Sequence, residues 1–476
     1  MELCRTAVFL CGLVLSSPIG AQGTQETADV PAGIQLAEPV DRLPPEPPRE
    51  EEPSVLSPFG DEDFGIYDAD DIDLLSDDGD LAAPKSTRVT LGHEVAYRVG
   101  GEQGLVNNRS SFRLEYSKFF LDSFFAQLDF KLNGFWSNDH RAEAENKTLL
   151  FDTLVPEAFV QYSKPGSNFS VKLGVQKLIW GESEGGVITD VVSPRNFSEL
   201  FFIPLEESRL GQFMLSVDHF SSVGDWTYFF VPRAKFNELP EEGTAYFFDP
   251  FAGSAAVRDD PADPDRHEYG MRWKRTFGQS DIAFMAASVI DNDYAFRLDG
   301  VTESGLPLIS RVAHRYTLAG LTFNYARGDF LFKGEVGYKS PLAFNDAALQ
   351  IIERDVIDSS LGLTYSLGQS NSLGMEIVNR HVLNWSDEIV GVRRNTSALV
   401  LNNNFFFLND TLSVNWLTIY SQPFTSVTSS VRTSYKWSDN LTFSLDAHVI
   451  AVPDRGSELH RFRDEDQVFF GVQYQF

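Results

Sequence analysis

The chain has 476 residues, long enough for two or three ordinary domains or for one large barrel. It is 42% hydrophobic and 13% aromatic, with 40 Phe, and its 68 acidic against 39 basic side chains give a formal charge of −29. No nucleic-acid partner is expected of so acidic a chain. Beyond residue 23 no apolar run reaches the ~20 residues of a spanning helix, so any membrane crossing must be made by strands.

Residues 1–23 (MELCRTAVFLCGLVLSSPIGAQG) combine Arg5, an apolar stretch over 7–15 and small residues at Gly20 and Ala21. This predicts a signal peptide over 1–21, cleaved after Ala21 or nearby. Both cysteines, Cys4 and Cys11, fall inside it, which leaves the mature chain no disulfide, thiolate metal site or Cys nucleophile. Residues 22–85 change character, with PPEPPREEEP at 44–53 and an acidic run over 61–80. Proline, like charges and low hydrophobicity predict a disordered periplasmic extension. The run 68–80 (DADDIDLLSDDGD) suggests calcium, yet no register supplies both the glycine and the glutamate of an EF-hand loop. No metal or cofactor is expected.

From residue 86 onward a period of two returns repeatedly. In 88–99, Val89, Leu91, Val95, Tyr97 and Val99 oppose Arg88, Thr90, Glu94 and Arg98, with His93 the exception on the apolar side. Residues 124–133, 169–175, 269–277, 330–338, 373–377, 427–437 and 441–451 repeat the pattern. Tight-turn chemistry at 122–123, 164–168, 221–225, 278–280, 327–329, 368–370, 409–410 and 438–440 alternates with longer polar connections at 137–147, 181–211, 235–266, 291–311, 341–353, 385–394 and 453–464. Short turns on one rim and long loops on the other predict an all-β, closed antiparallel transmembrane barrel over 86–476, of about 18 strands, with 16 the alternative. A propeller would need a blade-length repeat, and none is found. Tyr and Trp near the strand ends, such as Tyr97, Trp226, Tyr338 and Tyr435, fit interfacial girdles.

With the apolar face toward lipid, the polar face projects Arg98, Arg113, Lys131, Arg272, Arg380 and Arg432 into the lumen. These charges either pair across neighbouring strands or bias the pore toward anionic and polar solutes. The connection after residue 174 runs GVQKLIWGESEGGVITDVVSPRNFSELFFIPLEESRLGQF. Its apolar Leu200, Phe201, Phe202 and Ile203 need burial. They are expected to draw the loop into the mouth, placing Asp190, Arg195, Glu207 and Arg209 at a constriction; packing against other loops as an outer cap is the alternative.

In this stretch the chain resembles the domain-of-unknown-function 1302 family of Gram-negative outer-membrane proteins, porin-like barrels. The matching residues are Gly174, Gln176, Trp180, Gly181, Glu182, Asp190, Pro194, Arg195 and Arg209; Val175, Ser193 and Asn196 depart from the pattern. The resemblance covers about a tenth of the chain. It implies the outer membrane as location, and an export partner in the periplasm or inner membrane with lipid or hydrophobic cargo as a second function.

The histidines, His93, His140, His219, His267, His314, His381, His448 and His460, are scattered, with no HExxH, GxSxG or metal-ligand spacing. An enzyme is therefore not expected. The last ten residues, QVFFGVQYQF, alternate again, and Phe470, Val472, Tyr474 and Phe476 resemble the assembly signal read by the barrel assembly machinery. They are expected to face outer-membrane lipids on a strand that closes the barrel against 89–99. The expected function is a channel for small polar solutes narrowed by 181–211, with export of lipid or polysaccharide as the alternative.

Overall fold

The computed structural model describes residues 85–476 apart from Asp122, Pro204, Pro250, Ala252, residues 260–264 and Gln369. The expected signal peptide, residues 22–84 of the extension and the acidic run 68–80 lie outside the described residues, as do Asp122 and Gln369 of two expected turns.

Alternating sequence becomes strand in chain order: β1 (Lys85–Arg98), β2 (Gly104–Phe120), β3 (Phe124–Trp136), β4 (Leu149–Ser163), β5 (Phe169–Gln176), β6 (Gln212–His219) and β7 (Asp225–Val231). A short β8 (Ala256–Asp259) precedes β9 (Glu268–Phe277) and β10 (Ser280–Ile290), and a hairpin of β11 (Ala295–Val301) and β12 (Pro307–Val312) follows. Then come β13 (Arg315–Arg327), β14 (Phe330–Asn345), β15 (Ile351–Leu367), β16 (Asn371–Val382), β17 (Asn395–Phe407), β18 (Leu412–Gln422), β19 (Ser426–Lys436), β20 (Leu441–Ala451) and β21 (Gln467–Gln475). Two short helices, α1 (His140–Ala144) and α2 (Leu205–Ser208), sit in connections.

Without β8, β11 and β12, the strands form one 18-stranded antiparallel sheet. It closes because β21 pairs with both β20 and β1, running from Thr90 opposite Gln475 to Arg98 opposite Gln467. Closure satisfies every wall strand on both edges, which lipid demands. Leu91, Tyr97, Phe284, Leu361, Ile377, Trp416, Phe470 and Tyr474 are exposed on the outer face. So much exposed apolar surface suits acyl chains and not water, and the molecule is a transmembrane β-barrel.

The long connections are more structured than their polarity suggests. Within the stretches read as loops at 235–266 and 291–311, β8 pairs in parallel with β12, and β12 in antiparallel with β11. Asp299 ties this small sheet together by accepting from Arg258 at 3.0 Å and Ser310. β14 and β15 run on into the expected loop 341–353, leaving only residues 346–350 to connect them.

The barrel also has a hydrophobic core on its inside. Met214, Phe229, Val231, Ala283, Met285, Val289 and Leu318 of β6, β7, β10 and β13 cluster with Trp180, Val191 and Val192 of the β5–β6 connection. The expectation that the polar face lines the interior is thus corrected in this sector. The loop supplies a second apolar surface there, so both faces of β10 (FMAASVI over 284–290) are free to be apolar.

Candidate functional site

The connection 177–211 enters the lumen and crosses it. It leaves β5 beside its own return, where the Leu178 N–H donates to Ser193 Oγ at 2.8 Å. Trp180 is almost fully buried, its ring edge-on to Phe229 with centroids 5.2 Å apart. Gly320 on the inner wall lets Thr189 approach: a Cβ there would lie 2.7 Å from Thr189 Cγ2. Gly337 gives similar room to Ile188, whose backbone oxygen lies 3.1 Å from the equivalent point.

Residues 182–189 reach the far wall, where two inward carboxylates hold them. Glu335 of β14 accepts at Oε2 from the Glu182 and Ser183 N–H groups (2.7 and 2.9 Å), and at Oε1 from Thr189 N–H and Oγ1–H (2.6 and 2.7 Å). Glu376 of β16 accepts from the Glu184 and Gly185 N–H groups at 2.9 and 3.1 Å. Lys333 pairs with Glu184 at 3.2 Å, Asn402 donates to the same carboxylate at 2.6 Å, and Lys339 Nζ donates to the Val187 carbonyl at 2.8 Å. The tip residue Ile188 is buried on Val378, Ala398 and Val400, with Leu417 and Ile419 beside them. These anchors need backbone N–H groups on the loop and acceptors on the wall. A buried carboxylate accepting several such bonds stabilises the docked loop.

The returning half turns the other way. Asp190 is shared by two guanidinium groups, Arg195 Nη2 at 2.5 Å and Arg209 Nε at 2.8 Å, and the two arginines form an isolated β-bridge. Burial lowers the pKa of Arg195, and Asp190 opposes that shift. The Arg195 N–H donates to Asn237 Oδ1 at 2.7 Å, tying the loop to the β7–β9 connection. Glu199 then meets Arg109 of β2 at 2.6 Å, with His140 of α1 3.5 Å away. Burial pushes the Glu199 carboxyl up, but the charge of Arg109 and the His140 contact outweigh it and hold the pKa at about 2. A 3-10 turn over Leu200–Phe202 drives Phe202 against Tyr246, His448 and Phe469, with centroids 5.1, 5.3 and 5.9 Å away. Of the apolar residues that required burial, Phe202 is buried in this cluster and Leu200 and Phe201 pack half-buried against it.

Of the four residues expected at the constriction, Asp190, Arg195 and Arg209 come together. Glu207 stands apart, paired with Lys131 of β3 at 2.6 Å. Burial raises the Glu207 pKa, and Lys131 outweighs that and lowers it. The charges expected in the lumen are found on the wall with partners. Arg113 forks onto Asp129 (2.9 and 2.7 Å), Arg380 forks onto Asp358 (2.7 and 2.8 Å), and Arg98 meets Glu465 at 2.7 Å. Arg432 lies 3.9 Å from Asp446, and Arg272 sits on β9 opposite Thr227 and Met285. Asp358 also takes Lys339, at 2.8 Å. At the C-terminal strand, Phe470 and Tyr474 of β21 and Phe476 just after it are exposed and Val472 partly so, while Phe469, just before Phe470, turns inward to Phe202. Among the described residues no group of three or more His, Cys, Asp or Glu side chains is placed to hold a metal ion.

The alternating pattern puts Glu335 and Glu376 on the inward face but does not mark them as anchors, because an inward Glu that holds a loop looks like one that merely hydrates a wall. The legible signal was beside them: glycine at 320 and 337 and aliphatic residues at 378, 398 and 400, all at inward positions.

No protein-family profile and no curated protein sequence matches the chain. Among solved structures it is similar to Acinetobacter baumannii OccAB2, with a TM-score of 0.50 and 10% identity over 82% of this chain and 98% of that one. Pseudomonas aeruginosa OccK5 gives a TM-score of 0.47 and 11% identity over 82% and 98%. A loop L8 deletion mutant of OmpT, an outer membrane protein of Vibrio cholerae, gives 0.41 and 10% over 83% and 100%. At such identities the likeness to OccAB2 is one of fold.

Proposed function

We propose that the protein is an outer-membrane channel of the porin-like class, passing small polar solutes through a lumen narrowed by residues 181–211. An eighteen-strand barrel is wide enough to enclose an aqueous path. The observation that carries the reading is the docking of the loop on the inner wall by Glu335 and Glu376. A loop fastened inside a wide barrel sets the bore without closing the ring of strands around it. The binding of Glu199 to Arg109 and of Glu207 to Lys131 fixes the return half, so that backbone and ion pairs together define one bore.

The test is reconstitution in planar bilayers of the wild type and of a chain lacking residues 185–203. Discrete ion-conducting steps are expected from the wild type, and larger steps from the shortened loop. Equal steps from the two proteins would reject the narrowing, and no steps from either would reject the channel.

A further inference from the structure

Beyond the apolar cluster on β6, β7, β10 and β13, the wall contacts of the inward loop fall in two groups. One group lies on β14 to β18, through Glu335, Glu376, Val378, Asn402 and Ile419. The other lies on β20, β21, β2 and β3, through His448, Phe469, Arg109 and Lys131. β19 stands between the two groups. Below the loop, the inner face of β17 to β20 carries six neutral hydrogen-bonding side chains, Asn402, Asn404, Asn415, Ser430, Ser434 and Ser444, interrupted by Leu417 opposite Ser430 and by the mutually paired Arg432 and Asp446 beside Asn415. Their direction is set by their neighbours. Asn402 touches the loop, and Asn415 donates to the side-chain oxygens of both Asn402 and Asn404, at 2.9 and 2.7 Å. Ser430 pairs with His448, which faces Phe202, and Ser434 pairs with Ser444 next to the Arg432–Asp446 pair. All six are half-buried, as befits side chains lining an accessible lumen.

We propose that this face is the solute path, and that it favours uncharged polyhydroxylated solutes over ions of the same size. The proposal rests on the channel reading above. A carboxamide offers a donor and an acceptor side by side, and a hydroxyl can use both, so a polyol moves along the surface exchanging water bonds for amide bonds. An ion finds no matching surplus charge. Glu184 at the head of the path is taken by Lys333, and Arg432 lies against Asp446. Lys436, at the turn end of β19, is exposed where bulk water screens it.

The experiment compares glucose, gluconate and glucosamine entry into liposomes holding the full chain, alongside potassium chloride conductance in planar bilayers. Glucose is expected to enter at least about threefold faster than either charged analogue, the scale of one net hydrogen bond. Asn415→Leu removes the central amide and should slow glucose about threefold while potassium chloride conductance stays within about twofold. Should Asn415→Leu fail to fold, Ser430→Ala combined with Ser444→Ala removes two hydroxyls from the same path and carries the same expectation. Equal entry of the three solutes, faster entry of a charged one, or unchanged glucose entry in the folded variants would overturn the proposal while conductance leaves the channel standing. Absence of both conductance and swelling would overturn the two together.

Discussion

Replacing Glu335 with glutamine should loosen the inward loop without disturbing the ring of strands. Each carboxylate oxygen of Glu335 accepts two hydrogen bonds from residues 182–189. A carboxamide retains one accepting oxygen and turns the other into an NH2 donor facing two donors. Whichever way it is flipped, two of the four bonds are lost. Bonds to a charged acceptor contribute about 1.5–3 kcal/mol each, so the gross loss is about 3–6 kcal/mol. Lumen water can re-satisfy the freed N–H groups, which reduces the net effect to about 2–3 kcal/mol. At 1.4 kcal/mol per factor of ten, the ratio of docked to undocked loop falls about thirty- to one-hundred-fold. Single-channel recording of Glu335→Gln should show flicker to a higher conductance level. A Val187→Cys reporter in the same background should react faster with a water-soluble thiol reagent. Recordings and labelling rates indistinguishable from those of the Glu335 protein would refute the anchoring.

Phe202→Ala empties the pocket formed with Tyr246, His448 and Phe469, and by the usual cost of truncating a buried Phe it removes about 3–5 kcal/mol of docking on that side; trypsin should then cut at Arg195 or Arg209 markedly faster. The Glu199 anchor responds to acid with a defined sign. Its folded pKa of about 2 lies below the unfolded 4.5, so its contribution is present above pH 4.5 and is lost as pH falls toward 2. Trypsin-independent readout by thiol labelling at Val187→Cys and at Phe201→Cys should show release on the Phe201 side in that window. Asp358→Asn leaves the Arg380 and Lys339 cations without their shared carboxylate. Breaking a buried pair of this kind costs about 3–5 kcal/mol, so the urea midpoint for unfolding the barrel should drop clearly.

The wall was readable because lipid imposes a rule that the chain must obey locally. An outward residue must be apolar at every second position, and tight turns must carry turn-forming residues, so strand number and closure follow from patterns a few residues long. The interior obeys no such local rule. Whether Glu335 hydrates the lumen or grips residue 189 depends on a contact made across 146 positions of chain, which no short window contains. The same reason hid the pairing of β8 with β12, which joins segments separated by a barrel hairpin. The loop residues were legible in part: the aliphatic and aromatic cluster at 200–203 demanded burial, and Asp190, Arg195, Glu207 and Arg209 were expected together. Three of the four meet, while Glu207, on the helical turn of α2, pairs with Lys131.

Seen as mechanics, residues 177–211 form a tie bar inside a hoop. A ring of eighteen strands left empty resists flattening only through the bending stiffness of its own wall. Fastening the loop to Glu335 and Glu376 on one side and to Arg109 and Phe469 on the other joins distant parts of the circumference, so squeezing the hoop along that diameter must strain hydrogen bonds and ring contacts as well as the sheet. The element proposed to narrow the lumen is thereby the element that braces the barrel wall, and lateral pressure in the bilayer is transmitted directly to it.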